Sequence, residues 1–597
     1  MKRYTTLVLL IFPFLIQAQS THLPLGNDAY HIMDRLEIKS GQLMPAHTIL
    51  KPFDRRDVAG FAIAMDTSAV DFSGKDQQDM RYIFRDNNDW LETITRSEWS
   101  AGKQFIDGDS VFYKPTIDMD EDVDKNYYEW SKKPIFKHFY RTPANLFELD
   151  KPHFNLKINP IIYFKYGQET NDTSFVYLNR RGFSLRASVD DVVWFHTNLY
   201  ESQERFQQHA TRRIEHDSIP AVPGAGFYKD FETGVWNTNG FDYLRGQGYI
   251  AARISKHVNV HFGHGRHFIG DGIRSLLLSD YSNDYFYLKL NTRVWKLHYQ
   301  NLFAELTTQH RRGPDGVRPK KYIAAHHLSF NNILPNLNIG IYESVVFDRG
   351  NTFELQYLNP IIIYRTIEQA LGSPDNVVTG LHFKYNFLKR FSLYGQFVFD
   401  EFKFGELLSG DGWWGNKNGW QMGLKYIDML GIDHLDGQVE YNTVRPYTYT
   451  YESADANYSH YNQPLAHPLG ANFSEVIGKL RYQPIQPLTF TARATYANFG
   501  TDMDSTNVGI NIFADYRDRT TPEGSDSDEY GHKTGQGVGN TLLIGQFTAS
   551  YQLRHNVYFD FDYIYRNRSS DDPALEYTRN YVGLSLRVNI AANTVDY

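Results

Sequence analysis

Three groups of residues in this 597-residue chain have types and spacings that could do chemistry. The first is Gly263-His264-Gly265-Arg266-His267-Phe268-Ile269-Gly270-Asp271-Gly272, followed by Arg274-Ser275-Leu276-Leu277-Leu278-Ser279-Asp280. Its glycines match neither the dinucleotide fingerprint nor the phosphate loop, and no lysine-bearing helix start follows, so nucleotide binding is not expected. Read as a glycine-rich loop folded into a cavity, it offers Arg266 and Arg274 as planar forks for anionic groups such as uronic acid carboxylates. Histidines 257, 261, 264 and 267 cluster here, but no carboxylate completes a metal-ligand spacing, so no metal is expected. The second group, Asp400-Glu401, cannot flank one glycosidic bond, because adjacent strand residues point to opposite faces. The third runs from Leu435 to Arg445, where Asp436, Gln438, Glu440 and Asn442 share one face and Leu435, Val439 and Tyr441 the other. With Trp413, Trp414, Asn416, Lys417 and Arg445 close in sequence, it supplies the stacking surfaces and hydrogen-bonding groups that carbohydrate recognition needs. The candidate polysaccharide contacts are therefore Arg266, Arg274, Trp413, Trp414, Asn416, Lys417, Glu440, Asn442 and Arg445. No catalytic residue and no cofactor is assigned, and the chain reads as non-enzymatic.

The elements that must position these groups are strands. Ile250, Ala252 and Ile254 alternate with Ala251, Arg253 and Ser255, and after Lys256-His257 the alternation resumes from Val258 to Phe262, as in a hairpin. The same period of two recurs at Leu488–Thr495, at Val557–Tyr563 and at Tyr581–Val588, where apolar even positions alternate with Gly583, Ser585 and Arg587. In water such strands would expose a continuous apolar belt, which lipid removes. The region after Phe154 accommodates roughly 16 to 18 strands, and single-chain bacterial barrels close with even numbers. Tyr581, Gly583, Leu586 and Val588 match the terminal-strand signal read by the barrel-assembly machinery, and charges at Leu586 and Val588 should block insertion. Polar stretches at Thr501–Asn507 and Thr520–Asn540 read as long loops.

Composition agrees. Mean hydropathy is −0.50, no later segment offers eighteen apolar residues in a row, and 42 Tyr with 41 Phe suit paired interfacial girdles. A secreted β-sandwich or propeller is the competing class. The net charge of −8 and the lack of a basic stripe exclude a nucleic-acid partner. Lys2 and Arg3 precede an apolar run from Leu7 to Ile16 and then Gln17-Ala18-Gln19, the pattern of a signal peptide over residues 1–18. The chain has no cysteine, so lipidation at that residue is excluded. Residues 19–150 read as a mostly helical region, with helical spacing in Asp28–Leu36, Asp54–Val70 and Gln77–Leu91. Residues 151–597 read as the barrel.

Several longer motifs carry a family resemblance: Leu23-Pro24-Leu25-Gly26 with Asp34-Arg35-Leu36, the Gly-His-Gly-Arg cluster, Tyr357-Leu358-Asn359-Pro360, Gly372-Ser373-Pro374-Asp375-Asn376, Trp413-Trp414-Gly415-Asn416-Lys417, Glu440–Tyr447 and His460–Asn472. On these the chain resembles the Wzi-like capsule-assembly outer-membrane proteins, and within them the Bacteroidetes branch of RemB-like gliding-motility proteins. The resemblance implies an all-β outer-membrane barrel of about 18 antiparallel strands with a helical part on the periplasmic side. It implies export to the outer membrane and partners in membrane lipid, the barrel-assembly machinery and surface polysaccharide. The expected function is to bind or organise capsular polysaccharide. Membership of a gliding or type IX secretion apparatus, with protein partners there, is the first alternative, and a diffusion channel the second.

Overall fold

A computed structural model describes residues 20–90, 105–107, 110–112 and 139–597, apart from positions 152, 191, 217–220, 234–237, 309–315, 362, 373–374, 402, 454, 504–505 and 594. The signal-peptide reading falls on residues outside this set.

Eighteen antiparallel strands close into one barrel, as the alternation and the resemblance lead one to expect. In chain order they are β1 (Phe154–Glu169), β2 (Val176–Val189), β3 (Val193–Arg205), β4 (Thr238–Arg253), β5 (Val258–Gly265), β6 (Tyr285–Val294), β7 (Leu297–Thr307), β8 (Lys320–Asn331), β9 (Leu337–Phe347), β10 (Asn376–Phe387), β11 (Phe391–Glu401), β12 (Lys417–Tyr426), β13 (Leu435–Val444), β14 (Phe473–Ile485), β15 (Leu488–Thr501), β16 (Val538–Arg554), β17 (Val557–Ser570) and β18 (Tyr577–Val588). The ring shuts where β18 pairs with β1, from Tyr581 opposite Glu169 to Val588 opposite Ile162. The Tyr581 ring lies over Gly583 and Gly167, where a Cβ on either glycine would collide with it. Among the described residues each of the eighteen strands pairs with a neighbour on both sides, so the wall leaves no free edge strand.

Successive strands are joined by short turns at one end, such as 295–296, 388–390, 486–487 and 555–556, and by long loops at the other, such as 266–284, 348–375, 445–472 and 502–537. Outward positions of β18 and β17, including Val582, Leu584, Phe559 and Phe561, are exposed and apolar, while their neighbours Ser585, Arg587 and Asp560 are buried inside. This is the apolar-out, polar-in alternation of a membrane-spanning barrel.

Three helices fill the short-turn end: α1 (Ala29–Ser40), α2 (Arg55–Asp66) and α3 (Gly74–Asp86). Ser73 and Asp76 form a capping box on α3, and Gly41 ends α1 in the left-handed region. Their apolar faces meet in a core of Leu36, Val58, Phe61, Ala62, Met80 and Phe84, and their polar faces meet the barrel. Arg35 of α1, buried, donates to Asp436 of β13 at 2.6 and 2.8 Å, to Asp76 at 2.8 Å and to Asp428 at 3.0 Å. Tyr82 donates to Asn556 at 2.7 Å, in a short turn, and Lys75 to the Gln483 carbonyl at 2.8 Å, near the short-turn end of β14.

Candidate functional site

The loop 266–284 leaves β5 at the long-loop end and descends into the lumen, where the inward polar side chains of the wall satisfy its backbone. Glu440 of β13 accepts the amides of Ile273 at 2.6 Å and Arg274 at 3.0 Å. Gln396 of β11 accepts the Leu276 amide at 2.8 Å and donates to the Ile269 carbonyl at 2.9 Å. Gln421 of β12 donates to the Arg274 carbonyl at 3.0 Å, and Tyr449 and Tyr458 donate to Leu276 and Leu277 at 2.6 Å each. A Cβ on Gly272 would strike the Glu440 carboxylate, so the close approach requires glycine there. Leu276, Leu277 and Leu278 are buried in the central apolar cluster. Phe268 and Ile269 pair with Lys51 and Leu50, tying this loop to the helices below.

After Val588 the chain turns at Asn589, whose φ is 54°, and runs back through the lumen. Asp596 pairs with Arg274 at 2.9 Å and also with Arg493, and Tyr597 donates to Glu475. Arg213 donates to the Tyr597 carbonyl at 3.1 Å. The helices, the 266–284 loop and the 589–597 segment thus form one column inside the barrel. Cavities of about 230 Å³ and about 240 Å³ lie against it, sharing Arg245, Arg266, Asp280 and Asn593 in their walls.

The nine candidate contacts divide into two sets. Arg266, Arg274, Glu440 and Asn442 lie in the lumen and are engaged by the protein itself. Arg266 donates to the Ser282 carbonyl at 3.3 Å and to that of Asp280, and Arg274 pairs with Glu475 at 3.2 Å besides Asp596. Asn442 bridges Glu440 and Glu475 at 3.0 Å each. The polar face of β13 lines the lumen, but the protein itself occupies it: Asp436 holds Arg35, Glu440 the loop amides and Asn442 two carboxylates.

Trp413, Trp414, Asn416, Lys417 and Arg445 gather at the long-loop end. Arg445 donates from Nε to the Asn416 carbonyl at 2.9 Å and from Nη2 to the His532 carbonyl at 3.3 Å, which fixes 413–417 against the 502–537 loop. Lys417 is fully buried, with its ammonium 5.3 Å from the Trp414 ring and 4.0 Å from that of Tyr516. Trp413 and Trp414 are half-buried, 5.9 Å apart by ring centroid, and both indoles donate to one carboxylate oxygen of Glu529, at 3.2 and 3.1 Å. Lys403 lies 4.4 Å from the Trp413 ring and Arg519 4.4 Å from that of Trp414. The two half-buried rings, with half-buried Glu529 and exposed Asp411 and Tyr530 at their rim, make an aromatic and polar surface that can contact a sugar ring and hydrogen-bond to its hydroxyls.

Sequence reasoning missed Glu529, Arg519 and His532, which lie more than a hundred positions from the tryptophans in a loop with no periodicity to place it. It also missed Glu475, one inward residue in an ordinary alternation. Among histidines 257, 261, 264 and 267 each meets an ordinary partner: His257 faces the Arg293 carbonyl at 2.8 Å, His264 that of Gly246 at 2.9 Å and His267 the Tyr285 hydroxyl at 3.2 Å, while His261 stacks on His22 at 4.5 Å.

No protein-family model matches the chain, and no curated protein does. Among solved structures, it is similar to Wzi of Escherichia coli, described as an outer-membrane protein involved in group 1 capsule assembly and a carbohydrate-binding β-barrel, with 14% identity and a TM-score of 0.54 over 97% of this chain and 100% of that one. OprD of Pseudomonas aeruginosa follows at 13% identity and a TM-score of 0.39 over 72% of this chain and 94% of that one. OccAB1 of Acinetobacter baumannii stands at 11% and 0.39 over 72% and 96%. At these identities the likeness to Wzi establishes a shared fold: a closed barrel of the outer-membrane type with the same extent.

Proposed function

We propose that the protein is a non-enzymatic outer-membrane barrel that binds or organises surface polysaccharide through its long-loop face, with its short turns and helices on the periplasmic side. The observation that carries this reading is the pair Trp413 and Trp414, half-buried rings fixed by Glu529 and Arg445 at the long-loop end. Surface polysaccharide reaches that end, because bacterial barrels turn long loops outward and short turns to the periplasm. The lumen supports the same reading: the polar wall residues there hold the 266–284 loop and the 589–597 segment, so binding is assigned to the outer face rather than to a diffusion path. The carbohydrate-binding barrel of like fold supports the ligand class. Delivery through an amino-terminal signal and insertion by the barrel-assembly machinery through the Tyr581–Val588 strand belong to the same proposal.

A clean deletion scored in parallel for retained capsule and colony spreading tests it. Loss of capsule with normal spreading is the expected result. Loss of spreading with intact capsule would instead make this a motility component whose likeness to a capsule lectin is one of fold.

A further inference from the structure

The loop 348–375 does not stand above the barrel; it folds down over the outer wall. Inward residues of β7 to β9 such as Leu302, Ala304, Ile323 and Val346 belong to the lumenal cluster. Their outward neighbours Phe303, Tyr322, Val345 and Phe347 form a separate cluster, covered by Tyr357, Tyr364 and Ile367 of the loop. Beneath it three polar residues stand in register on the outward face, Asn301 opposite His326 and His326 opposite Glu343. Polar groups facing hydrocarbon are costly, and the loop covers them. Glu343 accepts the amides of Tyr364 at 3.0 Å and Arg365 at 3.3 Å, capping the helix Tyr364–Leu371, whose own N-cap residue supplies no side-chain bond. Tyr364 packs on His326 at 4.0 Å between ring centroids, and Tyr299, near the short-turn end of β7, donates to the Pro360 carbonyl.

The strap therefore reaches below the middle of the wall, into the depth the apolar belt assigns to hydrocarbon. Its own outer surface is mixed, with Leu358 and Ile363 exposed as well as Leu355 and Ile361. Ile361 is 86% and Leu355 73% exposed, but Gln356, Arg365 and Gln369 are exposed beside them, and residues 359–361 are irregular backbone. Irregular backbone at membrane depth persists where protein covers it. The charge pattern of this helix is also self-complementary, with Arg365 exposed and Glu368 half-buried beside it. Arg365 and Glu368 lie one turn apart on the helix, joined at 2.5 Å, so two such helices packed antiparallel about a twofold axis place each Arg365 opposite Glu368 of the other copy, with Leu355 and Ile361 flanking.

We infer that the strap is the interface of a homodimer formed side by side in the membrane, a twofold contact in which one surface meets its own copy. The inference rests on the membrane placement proposed above. The chain has no cysteine, so single cysteines report directly. In native membranes under mild oxidation, Ile361→Cys is expected to shift the chain to a band of twice its mass, whereas Val582→Cys, exposed on the far side of the ring, stays monomeric. Adding R365E to Ile361→Cys should abolish the cross-link, and R365E with E368R should restore it. A monomeric Ile361→Cys, or its capture in a band of another mass, overturns the homodimer. Absence of the heat-modifiable folded barrel from the membrane fraction would instead overturn the membrane placement itself, so the two failures are distinguishable.

Discussion

Arg274, on the loop that enters the barrel beside β5, meets Asp596, on the segment that follows the closing strand, at 2.9 Å inside the lumen. Two segments from opposite ends of the barrel are thereby locked to each other and, through Arg493 and Glu475, to the wall.

Asp596→Asn removes the charge that Arg493 and Arg274 share. Breaking a buried pair by neutralising one partner costs about 3–5 kcal/mol; Arg274 keeps Glu475, so the lower end of that range is expected here. The loss should appear as a lower temperature for the folded-to-unfolded mobility change on gels, with assembly into the membrane preserved.

Gly272→Val places a branched side chain against the Glu440 carboxylate. Overpacking of this kind costs about 1–3 kcal/mol, and here it acts on the seat of the loop. Protease accessibility of 266–284 in the folded barrel should rise, while Gly405→Val, at a position with open space around it, should leave it unchanged.

Acid should loosen the helices from the barrel. Burial opposes charge on Asp76, but Arg35 and Lys39 outweigh it and hold its carboxyl down at about 2. A carboxyl depressed in the folded state stabilises above its unfolded pKa of about 4, and that contribution is lost as pH falls from about 4 to about 2. Exchange protection of α1 and α3 amides should drop across that window, and Asp76→Asn should reduce the acid dependence, leaving the part carried by Asp428 and Asp436, while lowering protection at pH 7.

Leu584→Arg puts a charge on an outward apolar position of the closing strand. At the membrane midplane this costs about 2–4 kcal/mol, so the folded form should fall in membrane fractions, and normal levels would contradict the assigned facing of β18.

Much of the wall was legible because alternation reports facing: Val582 and Leu584 fall outside, Ser585 and Arg587 inside, as their types require. The three helices were legible from apolar spacing and lie at Ala29–Ser40, Arg55–Asp66 and Gly74–Asp86. What occupies the lumen was not. Glu440 and Gln396 would read as polar strand residues whether they faced water, a sugar or an amide of a folded-in loop, and only tertiary contacts distinguish these. Segment 589–597 was visible as residues beyond the closing strand, but its path depends on Arg274 and Arg493, distant in sequence. Glu343 was hidden for the opposite reason: it sits on the outward register, where lipid forbids a carboxylate, and is allowed there because Tyr364 and Arg365 present their amides to it.

The most direct measurement is binding of surface polysaccharide, extracted from the protein's own cells, to the purified barrel in lipid, compared with W413A/W414A carrying the same folded, heat-modifiable form. The proposed function predicts saturable binding by the natural protein and its loss in the variant. Equal binding by both, or none by the natural protein, would contradict it.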